Sequence, residues 1–298
     1  MSSALLPLPL SPAGRRQVRT ILVVAAAIGL AIGVNAFVLH LTTDPLADVR
    51  AYYDAGARLN AGQPLYIQPS TTDDPAFYRY PPLLAILFRP LAVLPFEVAA
   101  ALWESLLVGA TAALIWRIGL REPVLIAVGI LAMPLAWTLA IGQAQALVTM
   151  LLAFATPLGV AAAGHLKLLP WLVALVWVGR RDWRALARFI GWFVALWAVQ
   201  LLVEPAGTIA FLTFPSLTQV GDVVNLSPYA LHPVLWAALA LAGLLVVLRL
   251  APSRWGWPAA VAYAVLVNPR LLAYQLSTLL AAFGERRRAP DRHDQRWP

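Results

Sequence analysis

The sequence predicts an all-α polytopic integral membrane protein, built as a bundle of about 8–11 membrane helices. Three observations carry this. Of 298 residues, 61% are hydrophobic and only 12% charged, against roughly a quarter charged in soluble domains. Apolar runs long enough to cross a ~30 Å hydrocarbon core as helices follow one another along the chain. The net charge of +8 comes from 21 Arg and a single Lys, and the Arg gather between apolar runs and at both ends. That placement fits membrane topology and not nucleic-acid binding. A soluble enzyme is excluded. The absence of Cys excludes a disulfide framework, a thiolate nucleophile and thiolate metal ligation.

Residues 1–19 read as a disordered cytoplasmic N-terminus ending on Arg15, Arg16 and Arg19. Thr20–Leu41 is an uninterrupted span, and it lacks the small-residue cleavage site of a signal peptide, which makes it a retained anchor. Residues 42–80 form a first external loop that carries Asp44, Asp48, Asp54, Asp73 and Asp74. Within it, Val49–Leu59 has the spacing of a short amphipathic helix, with Tyr52, Tyr53, Gly56 and Leu59 on one side. Tyr80-Pro81-Pro82 opens a run to Pro95 that is too short for a full span, hence re-entrant or interfacial. Phe96–Ile118 crosses inward to Arg117 and Arg121. Pro123–Ile141 returns outward and leaves Gly142-Gln143-Ala144-Gln145 at the outer face.

Leu147–Ala155, Leu158–Leu166 and Leu168–Val178 read as two or three short helices. They make an odd number of crossings, because Arg180, Arg181, Arg184 and Arg188 belong to the cytoplasm. Phe189–Val203 goes out again, residues 204–232 form a second external loop, and Pro233–Leu250 comes back. Trp257–Val267 and Leu271–Phe283 turn at Asn268-Pro269-Arg270. Residues 20–284 thus make one transmembrane domain, and residues 285–298 a basic cytoplasmic tail. The 12 Trp suit an interfacial belt.

A loop rich in carboxylates that leads into an aromatic-Pro-Pro turn is the natural seat of a site facing away from the cytoplasm. A reaction there must draw on a donor that the membrane delivers, such as a lipid phosphate. The residues carry a resemblance at this point. Asp48-Val49-Arg50-Ala51-Tyr52-Tyr53-Asp54-Ala55-Gly56, Leu59-Asn60-Ala61-Gly62-Gln63-Pro64-Leu65-Tyr66, Phe77-Tyr78-Arg79-Tyr80-Pro81-Pro82, Pro90-Leu91-Ala92 and Leu102-Trp103 together resemble glycosyltransferase family 87. Gly142-Gln143-Ala144-Gln145 is similar to the family's Gly-Gln-x-Asn element, with Gln in place of Asn. Lys167-Leu168-Leu169-Pro170 is similar to its Lys-x-x-Pro element, and Asn225-Leu226-Ser227 partly to its Asn-Gln-Ser. The resemblance is strongest over residues 20–190.

The resemblance implies a C-type glycosyltransferase fold and a polyprenyl-phosphate sugar donor. It implies mannose as the sugar, although nothing in the residues separates mannose from arabinofuranose. It implies a glycolipid or envelope-glycan acceptor, used at the extracytoplasmic face of the cell membrane. Asp48 matches the family's general base, and its residue type also suits a helix N-cap for 49–59; Asp44 is the rival base. A phosphate leaving group needs cations near the outer leaflet. Lys167, the lone Lys within an apolar stretch, is the first candidate, with a snorkelling side chain as the alternative. Arg79 and Arg89 are the next, Arg89 having Glu97 or Glu104 as alternative partners.

Tyr52, Tyr80, Gln143 and Gln145 are candidates to bind sugar or acceptor hydroxyls, the two Gln alternatively bonding between helices. His165 and His232 stand alone, so neither a metal nor another cofactor is expected. Two other functions stay open. One is an inactive relative that only binds a polyprenyl lipid, suggested by the short 146–179 segment and the altered 204–232 loop. The other is a lipid or glycolipid transporter, against which the scarcity of polar residues outside residues 42–80 counts.

Overall fold

The computed structural model describes residues 11–67, 74, 77–213 and 225–285, and every regular element among them is helical. The readings of residues 1–10, of Asp73 and of the tail beyond Glu285 lie outside the described residues.

Helix α1 (Pro12–Thr43) starts where Ser11 Oγ accepts from the Gly14 amide at 3.1 Å, with Pro at its first position. It is followed by α2 (Ala47–Asn60), α3 (Pro82–Phe88), α4 (Phe96–Ile118), α5 (Glu122–Ile130) and α6 (Ala132–Ala140). Then come α7 (Gln145–Ala153), α8 (Pro157–Leu166), a 3₁₀ turn over Leu169–Ala174 and α9 (Leu175–Arg180). The chain continues through α10 (Trp183–Val203), α11 (Pro205–Thr213), α12 (Pro233–Leu250) and α13 (Gly256–Leu266), and closes on a 3₁₀ helix over Ala273–Phe283.

Among the described residues four helices, α1, α4, α10 and α12, are long and apolar enough to cross a membrane unaided, and the α5–α6 pair, bent by 60°, has the length and composition of a broken span or a re-entrant loop. The remaining helices are short, and α7, α8, α13 and the Ala273–Phe283 segment carry much of the buried core. The expected segmentation of 146–179 is present, with breaks at Pro157 and Pro170. These prolines lack the amide that would continue an i→i−4 ladder. Two expectations gain detail. Pro205–Thr213, within the expected second external loop, is helix α11, and Pro123–Ile141, read as one span, breaks at Leu131 into α5 and α6.

Small residues set the closest crossings. A Cβ on Gly29 would lie 2.4 Å from the Gly129 carbonyl oxygen, and one on Gly129 would lie 2.6 Å from Ala26 Cβ. Close backbone approach of this kind is how helices associate where water supplies no hydrophobic drive.

At one end of the bundle the Arg clusters tie helix ends together. Arg19 pairs with Glu122, and Arg117 Nε donates to the Ala153 carbonyl at 3.3 Å. Arg180 pairs with Glu285 and donates to the Ala251 carbonyl at 2.8 Å. The polar cavity described next takes in the opposite ends of α1 and α7, at Asp44 and Gln145, together with Tyr80 before α3 and Asn268 after α13.

Candidate active site

The site is assembled on the first turn of α2. Leu46 precedes the helix in a left-handed conformation (φ 57°) and contributes no side-chain cap. Its amide donates to the Ala140 carbonyl at 3.2 Å, and the Asp48 amide donates to that of Ile141 at 3.1 Å. These two bonds dock the start of α2 on the end of α6. Because α2 begins at Ala47, Asp48 lies inside its first turn and is not the N-cap. Its Oδ1 accepts instead from the Tyr80 hydroxyl at 3.2 Å.

The Gly142 turn makes this docking possible. Gly142 has φ +69°, a region that favours glycine, and a Cβ there would lie 2.0 Å from Val49 Cγ2 and 2.5 Å from Glu104 Oε1. Trp103 Nε1 holds the Gly142 carbonyl at 2.8 Å. Gly142→Ala is therefore expected to destabilise the protein by at least about 1–3 kcal/mol through backbone strain alone, as α2 is pushed away. A thermal melt of the detergent-purified protein checks this, and an unchanged midpoint would refute it.

The Gln143 side chain is fully buried and joins three elements. Tyr52 donates its hydroxyl proton to Gln143 Oε1 at 2.5 Å, and Gln143 Nε2 donates to the Tyr80 oxygen at 3.0 Å. The Tyr80 proton is then left for Asp48. The relay fixes the aim of the Tyr80 hydroxyl, and the rings of Tyr80, Phe88 and Trp103 hold Tyr52 edge-on at 5.3, 5.4 and 5.9 Å.

Asp48 and Tyr80 open into a cavity of about 300 Å³ whose wall also carries Arg79, Gln145, Lys167, Arg270 and Tyr274. Lys167 follows α8 in an extended conformation, with Nζ 5.3 Å from the centroid of the Tyr80 ring and 4.8 Å from that of Tyr274. Gln145 Nε2 donates to Thr278, while its buried Oε1 has no protein partner among the described residues. Burial pushes the Asp48 carboxyl up to about 6, against the opposing pull of Lys167, the Tyr80 hydrogen bond, Arg270 and Arg79.

The expected site residues therefore divide. Asp48, Tyr80, Arg79, Lys167, Gln145 and Asp44 line one cavity. Tyr52 and Gln143 stand behind the wall and support Tyr80 instead of reaching the cavity. Arg89 does not join. Its Nε donates to Asn60 Oδ1 at 3.0 Å at the other end of α2, about 18 Å along the helix from Asp48 at 1.5 Å per residue. Nor does it pair with Glu104, which packs against Gly142.

Arg270, Tyr274 and Thr278 escaped sequence reasoning because they come from the last hairpin, far away in the chain. One signal was present: Arg270 sits in the Asn268-Pro269-Arg270 turn, apart from the Arg clusters. Asn225 braces that turn, with Nδ2 donating to the Pro269 carbonyl at 2.8 Å and Oδ1 accepting from the Leu271 amide at 2.9 Å. The partial Asn-Leu-Ser element is thus the support of Arg270.

The chain is 29% identical over 204 residues to a polyprenol-phosphate-mannose-dependent alpha-(1-2)-phosphatidylinositol pentamannoside mannosyltransferase of Mycolicibacterium smegmatis, covering 61% of this chain and 48% of that protein. It is 30% identical over 214 residues to the enzyme of the same description from Mycobacterium tuberculosis, covering 61% and 47%. The chain spans about half the length of these curated relatives. No solved structure matches it. The sequence profile of glycosyltransferase family 87 matches residues 77–284. It starts after the Asp48 motif and extends through the C-terminal hairpin, well beyond the 20–190 region where the motif resemblance is strongest. With more than half of its residues matched, the chain belongs to glycosyltransferase family 87.

Proposed function

We propose that this protein transfers a sugar, mannose by default, from a polyprenyl-phosphate donor to a hydroxyl of a glycolipid or envelope-glycan acceptor, with inversion and with Asp48 as general base. The observation that carries this reading is one cavity in which a buried carboxylate, aimed by Tyr80, faces Lys167 and Arg270.

In the reaction, Asp48 takes the proton of the acceptor hydroxyl while that oxygen attacks the anomeric carbon. The bond from this carbon to the phosphate oxygen breaks as the new glycosidic bond forms, and the electron pair leaves with the polyprenyl phosphate. Lys167, Arg270 and Arg79 stabilise the charge gathering on that phosphate. A carboxyl held near 6 is ionised at neutral pH, yet basic enough to accept a proton in the transition state. The donor named for the two relatives supports the choice of lipid phosphate and of mannose.

The cavity lies extracytoplasmically in this reading. The support is the gathering of Arg19, Arg117 and Arg180 at the opposite end of the bundle, which the positive-inside rule assigns to the cytoplasm. Single Cys residues placed in this Cys-free chain test the orientation. An impermeant thiol reagent is expected to label Asp73→Cys but not Arg184→Cys in intact cells, and the reverse pattern would overturn the choice of face. Transfer is tested in proteoliposomes by passage of label from polyprenyl-phosphate mannose into extractable glycolipid. No label above that of protein-free vesicles would refute the reaction.

A further inference from the structure

The cavity wall has a second chemical character away from its cations. At the end of α1, His40 stacks on the indole of Trp137, with ring centroids 4.5 Å apart and planes 10° from parallel. His40 Nδ1 bonds Asp44 Oδ1 at 2.8 Å, and the Thr43 hydroxyl donates to the same oxygen at 2.7 Å. Asp44 therefore has one carboxylate oxygen held by two protein partners. The side chain remains 41% exposed and lines the cavity together with Trp137.

Tyr274 stands between the two halves. Its ring has Lys167 Nζ at 4.8 Å and Trp137 at 5.6 Å in an edge arrangement. Asp48, with its Tyr80 partner, belongs to the same wall. No step of the transfer chemistry uses Asp44, His40 or Trp137.

An aromatic surface beside a carboxylate with a spare oxygen suits a sugar ring. The C–H groups of a pyranose pack on an aromatic surface, and its adjacent hydroxyls donate strong, charge-assisted bonds to a carboxylate. A lipid phosphate would instead be repelled by Asp44. We infer that Trp137 and Asp44, with His40 as a positioning residue, form the subsite for the acceptor's sugar ring, placing its hydroxyl toward Asp48. This rests on the transferase reading above and assigns the two halves of the cavity to the two substrates: cations to the donor phosphate, the Trp137–Asp44 side to the acceptor.

The test is steady-state kinetics of the full chain in detergent micelles, with a short-chain polyprenyl-phosphate mannose as donor and octyl α-mannoside as titrated acceptor. Asp44→Asn and Trp137→Leu are each expected to raise the acceptor KM about tenfold, the scale of one lost charge-assisted or aromatic contact, while the donor KM changes less than about twofold. Trp137→Phe keeps an aromatic surface and is expected to recover part of the loss, which a merely structural role would not reproduce. A thermal melt identifies a variant that fails to fold, and His40→Gln then supplies the third arm, with the same expected split. A rise in donor KM with acceptor KM unchanged would place the donor's sugar on this wall and overturn the inference. So would unchanged acceptor dependence in all variants. No transfer by the wild type removes the transferase reading itself, and this inference with it.

Discussion

Asp48→Asn is expected to lower transfer by about 100- to 10,000-fold, the range for loss of a positioned general base, while the protein remains folded and inserted. Asn preserves the size of the side chain and an oxygen for the Tyr80 hydroxyl, so the loss isolates the proton acceptor. The sign of the stability effect separates chemistry from folding. Burial raises the Asp48 carboxyl from 3.8 to about 6 in the folded protein, so the folded state holds the proton more tightly than the unfolded chain. The stability linked to that proton is fully present below about 3.8 and lost as pH rises through about 6. At pH 7.5 the ionised wild type carries this cost and Asp48→Asn does not, so the variant is expected to melt no lower than the wild type. With Asp48 as the proposed base, the same carboxyl is expected to set the acid limb of kcat/KM for the wild type. Activity rises with pH through about 6 and levels off above it, because only the unprotonated form accepts the acceptor's proton. A variant within a few-fold of wild-type activity, paired with a collapse in Asp44→Asn, would transfer the base role to Asp44.

Lys167→Met is expected to cut kcat/KM for the donor by ~10- to 100-fold, the scale of one charge-assisted contact to phosphate. It has a second consequence through Asp48. Lys167 is the largest of the groups that hold the carboxyl down against burial, so its removal lets the Asp48 pKa rise further. The acid limb of the pH profile then moves to higher pH, and the loss is greater at pH 6 than at pH 8. Lys167→Arg is expected to restore the acid limb more fully than the donor KM. It returns the charge, but a planar guanidinium does not reproduce a compact ammonium lying between the rings of Tyr80 and Tyr274. A profile that keeps its midpoint in Lys167→Met would show that the ammonium does not act on Asp48, and full activity in both variants would leave it a snorkelling side chain.

Much of the architecture was legible in the sequence because its causes are local. Hydrophobic run length marked α1, α4, α10 and α12 as spans. Prolines divided α7, α8 and the Leu169–Arg180 segment, and the spacing of Tyr52, Gly56 and Leu59 marked the buried face of α2. The bend between α5 and α6 has a local mark that run length alone passes over: Pro134, in the first turn of α6, has no amide to bond the Ile130 carbonyl, and Gly129 lies just before the break, where the pair packs against α1.

Within the site, residue type identified the candidates without assigning their positions. Lys167 stands out as the lone Lys of the chain, whereas Asp48 is one of five carboxylates in its loop and is singled out by the resemblance to family 87. What composition could not decide is which groups share a cavity, because that depends on contacts between segments more than a hundred residues apart. The path of α3 back along α2 removed Arg89 from the site, and the burial of Gln143 made it a support for Tyr80 instead of a wall residue. The final hairpin, braced by Asn225, brought in Arg270. The sequence by itself determined a membrane-spanning helical chain with a carboxylate-rich loop and a lone Lys within an apolar stretch, because hydropathy and charge are properties of residues. Only the tertiary structure decided that Asp48 and Lys167 face each other, because the pull of Lys167 and Arg270 on a desolvated carboxylate is a property of distance and burial.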